Sequence, residues 1–315
     1  MFFPDLQWIG LTELPQSGTT FIATALTASP QVAYLHEPFN PSCGIVGIDW
    51  NCVDLIDGDL APRGPVPDVV SRILRLWGRL RKRAAATDSA PRKAMKRELG
   101  GRGPIELTKA RLSKPWITHG VLKDLIGFYL LPYLQQRFGF QNAVVVKHPI
   151  AAYAGLNRVG WHSGLEFLRE RQYLHPHMTQ EELRLLHGLA TTPVEIVATQ
   201  WRITYGLLTR WARKRNWKIV VIEELSENPV YELTQLALHL GLPWDRKSES
   251  KVKKLTNPLN SAAAKPGRVQ ALSRDSRKVF QSQIARVDRA ERRIIFEKTS
   301  DLACEFYRES TFELD

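Results

Sequence analysis

Apolar and polar positions follow two rhythms along this chain. Five short runs have the length and β-branched or apolar composition of strands: "QWIGLTEL" (7–14), "QVAYLHEP" (31–38), "ITHGVLKD" (117–124), "QNAVVVKHP" (141–149) and "NWKIVVIEEL" (216–225). Between them the apolar positions recur with a helical period. One helix is predicted from about Thr19 to Ala28. Another spans 68–86, with Val69, Val70, Ile73, Leu74, Trp77 and Leu80 on one face. Further helices are predicted over 125–139, after Pro149, over about 161–215 with a break near "TTP", over 228–242 with Gly241 near the C-terminus, and from Arg274 on. Residues 41–67, rich in Pro, Gly and Asp, read as loop, and "TDSAPRKAMKRELGGRGP" (87–104) reads as a mobile basic linker. Strands alternating with helices predict an α/β fold of three layers, with a central parallel, doubly wound sheet flanked by helices. Its ligands are expected at the carboxyl ends of the strands.

Charge sharpens this picture at one place. The chain has a net charge of +12, and residues 68–115 hold 14 Lys/Arg against 4 Asp/Glu, so net +10 lies in that segment. The basicity is a local device, not the signature of a protein that binds nucleic acid along its whole surface. An anionic polymer or a membrane surface is the candidate partner for 68–115, with a solvated helix packed on the domain as the plainer reading. No specific nucleic acid is expected. Three cysteines, Cys43, Cys52 and Cys304, are too scattered for a disulfide framework or a metal site. His119, His148 and His162 lack ligand spacing, so no metal is expected. The opening "MFFPDLQWIG" lacks a basic region and a long apolar run, and no stretch approaches the roughly 20 apolar residues of a bilayer span, so a cytoplasmic or at most membrane-peripheral protein is expected.

The first strand runs into "LPQSGTTFIATAL" (14–26), a glycine-containing turn that opens a helix. Such a unit aims backbone N–H groups and the positive end of a helix at an anion. Thr19 and Thr20 fall in the first turn, where hydroxyls can donate to phosphate oxygens. The Walker form G-x-x-x-x-G-K-S/T is absent. That absence, and the lack of an obvious magnesium-binding aspartate, argue against a P-loop kinase. A plain structural turn with a threonine cap remains the alternative for the loop taken alone.

In company the loop gains meaning. The chain resembles the sulfotransferases that use 3′-phosphoadenosine 5′-phosphosulfate (PAPS), in particular bacterial members of the carbohydrate-type group. The resemblance rests on Pro15 to Phe21, similar to P-K/R-S-G-T-T followed by a bulky apolar residue. It continues in "LHEPFNP", "VLKDL", "VVVKHPIAAYAGLNRVGW", "IEELSENPVYELTQLALHLGLPW" and "RDSR", in family order and over nearly the whole chain outside 41–115. It implies one sulfotransferase-like domain over 1–315 with a basic insertion at about 58–115. It also implies a P-loop-containing fold, PAPS as donor with the corresponding bisphosphate (PAP) as product, no metal, and a hydroxyl acceptor on a carbohydrate or glycoconjugate.

Carried over position by position, the resemblance implies that Pro15, Gln16, Ser17, Gly18, Thr19 and Thr20 hold the 5′-phosphosulfate and that Phe21 stacks on adenine. Gln16 stands where the family has Lys or Arg, and a neutral donor makes a hydrogen bond about half as strong as a charged one. Lys123 matches a family lysine that approaches the sulfuryl group and is the candidate for the missing charge. Glu37 matches the family base and His36 competes with it. Strand alternation sends consecutive side chains to opposite faces, so one of the two is expected in the cleft. Lys147 replaces an Arg at the 3′-phosphate, Gly155 replaces a Ser, and Arg158 lies one turn further. Arg274, Ser276 and Arg277 of "RDSR", and the "KPGR" turn at 265–268, are further candidates for phosphate contacts. Trp201 and Arg202 are candidates for the acceptor cleft, with Trp201 better suited to a core. Glu223 and Glu224 either anchor the neighbouring helix or face the acceptor, with the structural role favoured. Because Gln16, Lys147 and Gly155 all depart from pattern, a catalytically weakened nucleotide-binding relative is the rival reading.

Overall fold

The apolar runs pair into one sheet. The computed structural model describes residues 6–48, 55–56, 61–82, 89–125, 127–257, 259–260 and 275–314. Along the chain these form β1 (Gln7–Glu13), α1 (Thr19–Leu26), β2 (Val32–His36), a two-stranded hairpin of β3 (Leu55–Ile56) and β4 (Ala61–Pro62), α2 (Val66–Leu74), α3 (Ala90–Leu99), α4 (Arg102–Leu112) and β5 (His119–Lys123). There follow α5 (Leu131–Phe138), β6 (Gln141–Val146), α6 (Pro149–Asn157), α7 (Gly164–Glu170), α8 (Gln180–His187), α9 (Pro193–Arg215) and β7 (Lys218–Val221). The last elements are α10 (Ile222–Glu227), α11 (Pro229–His239), α12 (Arg246–Leu255), α13 (Ser276–Ile284) and α14 (Arg289–Ala303).

The sheet is parallel, flanked by helices, and ordered β2-β5-β1-β6-β7. This is the α/β class that the alternating pattern predicts. The chain leaves β1 for one side of the sheet through β2 and β5, and for the other through β6 and β7. β1 is therefore the point at which strand order reverses, where open parallel sheets bind their ligands. The segment that follows β1 at that point is the glycine-containing turn. Among the described residues no helix is long and apolar enough to cross a membrane.

The chain divides into two compact units. The first comprises residues 1–12, 19–143 and 230–252. In it β5 lies between β1 and β2, with Lys123 opposite both Leu11 and His36. Trp8 locks β1 by donating its indole N–H to the Leu74 carbonyl at 3.2 Å and by stacking on Phe140 at 6.1 Å. The second unit comprises residues 13–18, 144–229 and 253–315. Its organiser is α9, 23 residues long, which opens on a capping box between Thr192 and Glu195 and ends at Asn216, whose φ of 55° breaks the helix. Val194, Val197, Ala198, Trp201, Tyr205, Leu208 and Ala212 form its buried stripe at helical spacing, and α6, α7, α8 and α14 pack against it.

Four sequence expectations are corrected. Residues 41–67, read as loop, carry the β3–β4 hairpin and the first residues of α2. The helix expected over 68–86 stops at Leu74, because the chain turns through Leu76 at φ 63° and sends Trp77 into solvent; residues 83–86 lie outside the described residues. The expected linker at 87–104 carries α3 and the start of α4, separated by Gly100 and Gly101. Ala, Lys, Met, Arg, Glu and Leu are strong helix formers, and that propensity outweighs the charge that suggested a linker. The strand expected over 216–225 ends at Val221, and "IEE" opens α10.

The side chains of α9 hold the carboxyl end of β6 and the turn of the second unit together. Trp201 donates its indole N–H to the Lys147 carbonyl at 2.8 Å. The Tyr205 hydroxyl lies 3.0 Å from the Val145 carbonyl and 3.2 Å from Ser17 Oγ, and accepts the Leu14 N–H at 3.4 Å. A Tyr205→Phe variant keeps the ring and leaves these buried groups short of a partner. It is expected to lose about 1–3 kcal/mol, read as a lower urea midpoint; an unchanged midpoint contradicts this role.

Candidate active site

The turn after β1 is tight for a stated reason. Gln16 and Gly18 both have left-handed backbones, at φ 70° and 104°. Glycine takes that conformation freely and glutamine does not, so the shape at Gln16 is held by its surroundings. The Tyr205 hydroxyl secures Leu14 and Ser17 on either side. Successive N–H groups in turns of this kind form anion-binding concavities. Ser17, Thr19 and Thr20 are buried, while Pro15, Gln16, Gly18 and Phe21 keep part of their surface open.

Lys147 supplies positive charge to this turn. Its ammonium donates to the Gln16 carbonyl at 2.8 Å, and the side chain is almost wholly buried. A Cβ on Gly155 would stand 3.1 Å from Gln16 Cβ and 3.6 Å from Lys147 Nζ. The bare glycine thus makes room for Gln16, and Gln16, Lys147 and Gly155 form one packed arrangement. The Arg158 guanidinium reaches Gln16 Oε1 at 3.5 Å. Arg158 also lines an open cavity of about 230 Å³ with Tyr153, Ala154, Asn157, Arg286 and Val287. Burial first, and the like charge of Arg286 second, lower the Arg158 pKa. Two guanidiniums around one cavity suit an anion.

In the first unit β2 and β5 end on an ion pair. Lys123 is fully buried, and its ammonium donates to Glu37 Oε1 at 2.5 Å. Asn40 donates to Glu37 Oε2 at 2.8 Å, and the Glu37 N–H donates to the Lys123 carbonyl at 2.8 Å. Burial alone would raise the Glu37 pKa, but Lys123, His36 and Asn40 together outweigh it and hold the carboxyl down at about 2. The adjoining Asp124 accepts N–H bonds from Phe39 and Gly127, each at 2.7 Å, and pins the segments after both strands.

Strict strand alternation would place His36 and Glu37 on opposite faces. Glu37 instead lies past the strand end at φ 50°, and this turn brings its carboxylate 3.9 Å from His36 Nε2. His36 Nδ1 pairs with the Tyr34 hydroxyl at 2.9 Å. Burial lowers the His36 pKa to about 4, Glu37 opposes the shift, and Lys123 and Arg102 reinforce it. At neutral pH the site therefore holds a neutral imidazole beside a carboxylate.

The remaining candidates are placed as follows. Ser276 and Arg277 open α13. Arg274 and the 265–268 turn lie outside the described residues, as does Cys52. Trp201 is fully buried core, and Arg202 is engaged by Asp301 and Glu182. Glu223 anchors its surroundings, accepting the His148 N–H at 3.1 Å and the Tyr307 hydroxyl at 2.8 Å. Among the described residues no group of three or more His, Cys, Asp or Glu could hold a metal. Sequence reading did not single out Asn40, Tyr205, Arg286 or Arg102. Asn40 carries a weak local signal, three residues beyond Glu37, whereas the other three reach their partners only through the fold.

No protein-family model and no curated protein sequence matches the chain. Among solved structures it is similar to the sulfotransferase domain from the curacin biosynthetic pathway, at 12% identity and TM-score 0.44 over 88% of this chain and 91% of that one. It is also similar to sulfotransferase STF9 from Mycobacterium avium, at 12% identity and TM-score 0.40 over 90% and 78% of the two chains. Mouse sulfotransferase SULT7A1, solved with PAP, is similar at 10% identity and TM-score 0.35 over 98% and 80%. At such scores these likenesses assign no residue a role, which has to come from the site's own chemistry.

His148 gives a pH test of the second unit. Its ring lies among Phe280, Tyr307 and Phe312, with Nε2 3.0 Å from Thr311 Oγ1. Burial, then the Lys147 charge, lower its pKa from 6.5 to about 3. A group whose folded value is depressed contributes stability that is complete above 6.5 and is lost as pH falls toward the folded value. His148→Gln is therefore expected to remove part of the fall in urea midpoint between pH 6.5 and about 3. An unchanged slope contradicts the assignment.

Proposed function

We propose that this chain is a sulfotransferase that moves the sulfuryl group of PAPS to a hydroxyl of its acceptor. The observation that carries the reading is the Lys147 ammonium seated on the Gln16 carbonyl, which puts a cation at a phosphate-loop turn whose own side chain is neutral. The ordered motifs "SGTT", "LHEP", "VLKD", "VVVKHP" and "RDSR" support it through their resemblance to PAPS-dependent enzymes. A saccharide or glycoconjugate acceptor follows from that resemblance alone.

PAPS supplies an activated sulfate: the acceptor oxygen–sulfur bond forms, the bond from sulfur to the bridging oxygen breaks, and the electron pair leaves on the 5′-phosphate. The residues of this chain then have four tasks. The 14–20 turn and Lys147 hold the 5′-phosphate and stabilise the charge it gains, in the manner of fixed donors aimed at developing negative charge. Arg158 and Arg286 receive a second phosphate. Phe21, half-buried, offers a ring face to the base. Glu37 takes the acceptor proton.

The last task explains the buried ion pair. While Lys123 holds it, Glu37 has a pKa of about 2 and is a weak base. An anion that competes for Lys123 lets the Glu37 pKa rise toward its ordinary 4.5, and the carboxylate gains basicity. In this reading Lys123 serves two oxyanions in turn, and releasing Glu37 arms the base.

A second reading has one observation in its favour: Lys123 is sequestered, with none of its side chain exposed. In that reading the chain binds the nucleotide without fast chemistry. PAPS turnover measured beside PAP binding separates the two, using a panel of saccharide and lipid-linked alcohols. The enzyme reading expects turnover that Glu37→Gln lowers by about 100-fold or more, with PAP affinity kept or tightened because the competing carboxylate is gone. PAP binding without turnover favours the binding module, and loss of both removes either reading.

A further inference from the structure

A second surface of the first unit has nothing to do with the nucleotide. α2 ends at Leu74, and the chain then makes a turn that buries Leu76 at φ 63° and displays Trp77, which is 64% exposed. This display is built. Arg111 donates Nε to the Leu76 carbonyl at 2.8 Å and Nη2 to the Gly78 carbonyl. Lys114 donates to the Arg75 carbonyl at 3.2 Å and lies 5.6 Å from the centre of the Trp77 ring. Two cations from the end of α4 and the segment after it thus clamp the turn and its indole. The same segment carries two more apolar side chains into water, Leu112 at 75% and Trp116 at 67% exposed.

The charge around these side chains is mostly of one sign, with Lys109 paired to Glu106 at 3.1 Å. Residues 75–82 and 109–116 contain Arg75, Arg79, Arg81, Lys82, Lys109, Arg111 and Lys114 and no acidic residue. Arg75, Arg79, Lys109 and Arg111 are exposed. Apolar side chains gathered on a surface and rimmed by polar groups mark an interaction site. Tryptophan favours the boundary between lipid and water, and lysine and arginine favour anionic headgroups.

We propose that the 75–79 turn and the 109–116 segment dock the protein on an anionic lipid bilayer, with Trp77, Leu112 and Trp116 entering the headgroup boundary and the arginines and lysines meeting lipid phosphates and carboxylates. An anionic polysaccharide would use the same cations. It would leave the aliphatic tip of Leu112 in water, where a bilayer takes it up. The proposal is independent of the sulfotransferase reading, because it uses none of that site's residues.

Sedimentation of the full-length chain with vesicles tests it. One set of vesicles is phosphatidylcholine alone and the other contains phosphatidylserine as well. The protein is expected to partition onto the phosphatidylserine vesicles, less at high salt, and weakly onto phosphatidylcholine. Trp77→Ala combined with Trp116→Ala is expected to weaken the partition by at least about tenfold. Arg79→Ala is expected to weaken it about fivefold, the equivalent of about 1 kcal/mol for one basic residue near an anionic surface. These side chains are exposed, so the variants should fold, which an unchanged urea midpoint verifies. Equal partition onto both lipid compositions overturns the proposal, as does a double tryptophan variant that binds like the parent. Binding to heparin beads without binding to vesicles overturns it in favour of an anionic polymer. Failure to bind either overturns it outright.

Discussion

A buried ammonium group has to be met by oxygen. Taking such an ion out of water costs several kcal/mol, and only close, well-placed acceptors offset that. The chain places two lysines under this constraint at the carboxyl ends of its strands. Lys123 ends β5 and is met by the Glu37 carboxylate; Lys147 follows β6 and is met by the Gln16 carbonyl. Each pairing fixes more than itself. Glu37 must turn out of β2 through a left-handed backbone to reach Lys123, and Gln16 adopts a left-handed backbone where its carbonyl receives Lys147.

The two lysines differ in what they do to their partners. Lys147 meets a neutral carbonyl at close range, and its charge also acts on the buried Glu223 carboxyl. A carboxylate cancels the charge of Lys123 and is itself held at a pKa of about 2. In the proposed reading the charge that Gln16 lacks is found first at Lys147, a residue whose place in the sequence suggested a 3′-phosphate contact. In the same proposal Lys123 is a gate on the base. Gly155 belongs to the same arrangement, since a side chain there would crowd Gln16 and touch Lys147. Three departures from the family pattern thus read as one local repacking.

Much of this was legible in the sequence because it depends on short-range rules. Alternation of apolar runs with helical periods gave the parallel α/β sheet, and "SGTT" after a strand gave the turn. Glu37 and Lys123 were singled out separately, but their contact joins strands β2 and β5 and is set by the register that puts Lys123 opposite His36. Tyr205 carries no local signal, because its hydroxyl meets Leu14 and Ser17 across 191 and 188 residues of chain. Alternation failed for His36 and Glu37 because it holds inside a strand and not at its end. The 87–104 segment was misread because charge was weighed above helix propensity.

Calorimetric titration of PAP tests the central claim, that Lys147 supplies the positive charge of the phosphate turn. Lys147→Met is expected to weaken PAP binding by about 10- to 100-fold, the worth of a charged hydrogen bond, with Lys147→Arg retaining most of the affinity. A Lys147→Met protein that stays folded and binds PAP as tightly as the parent would contradict it.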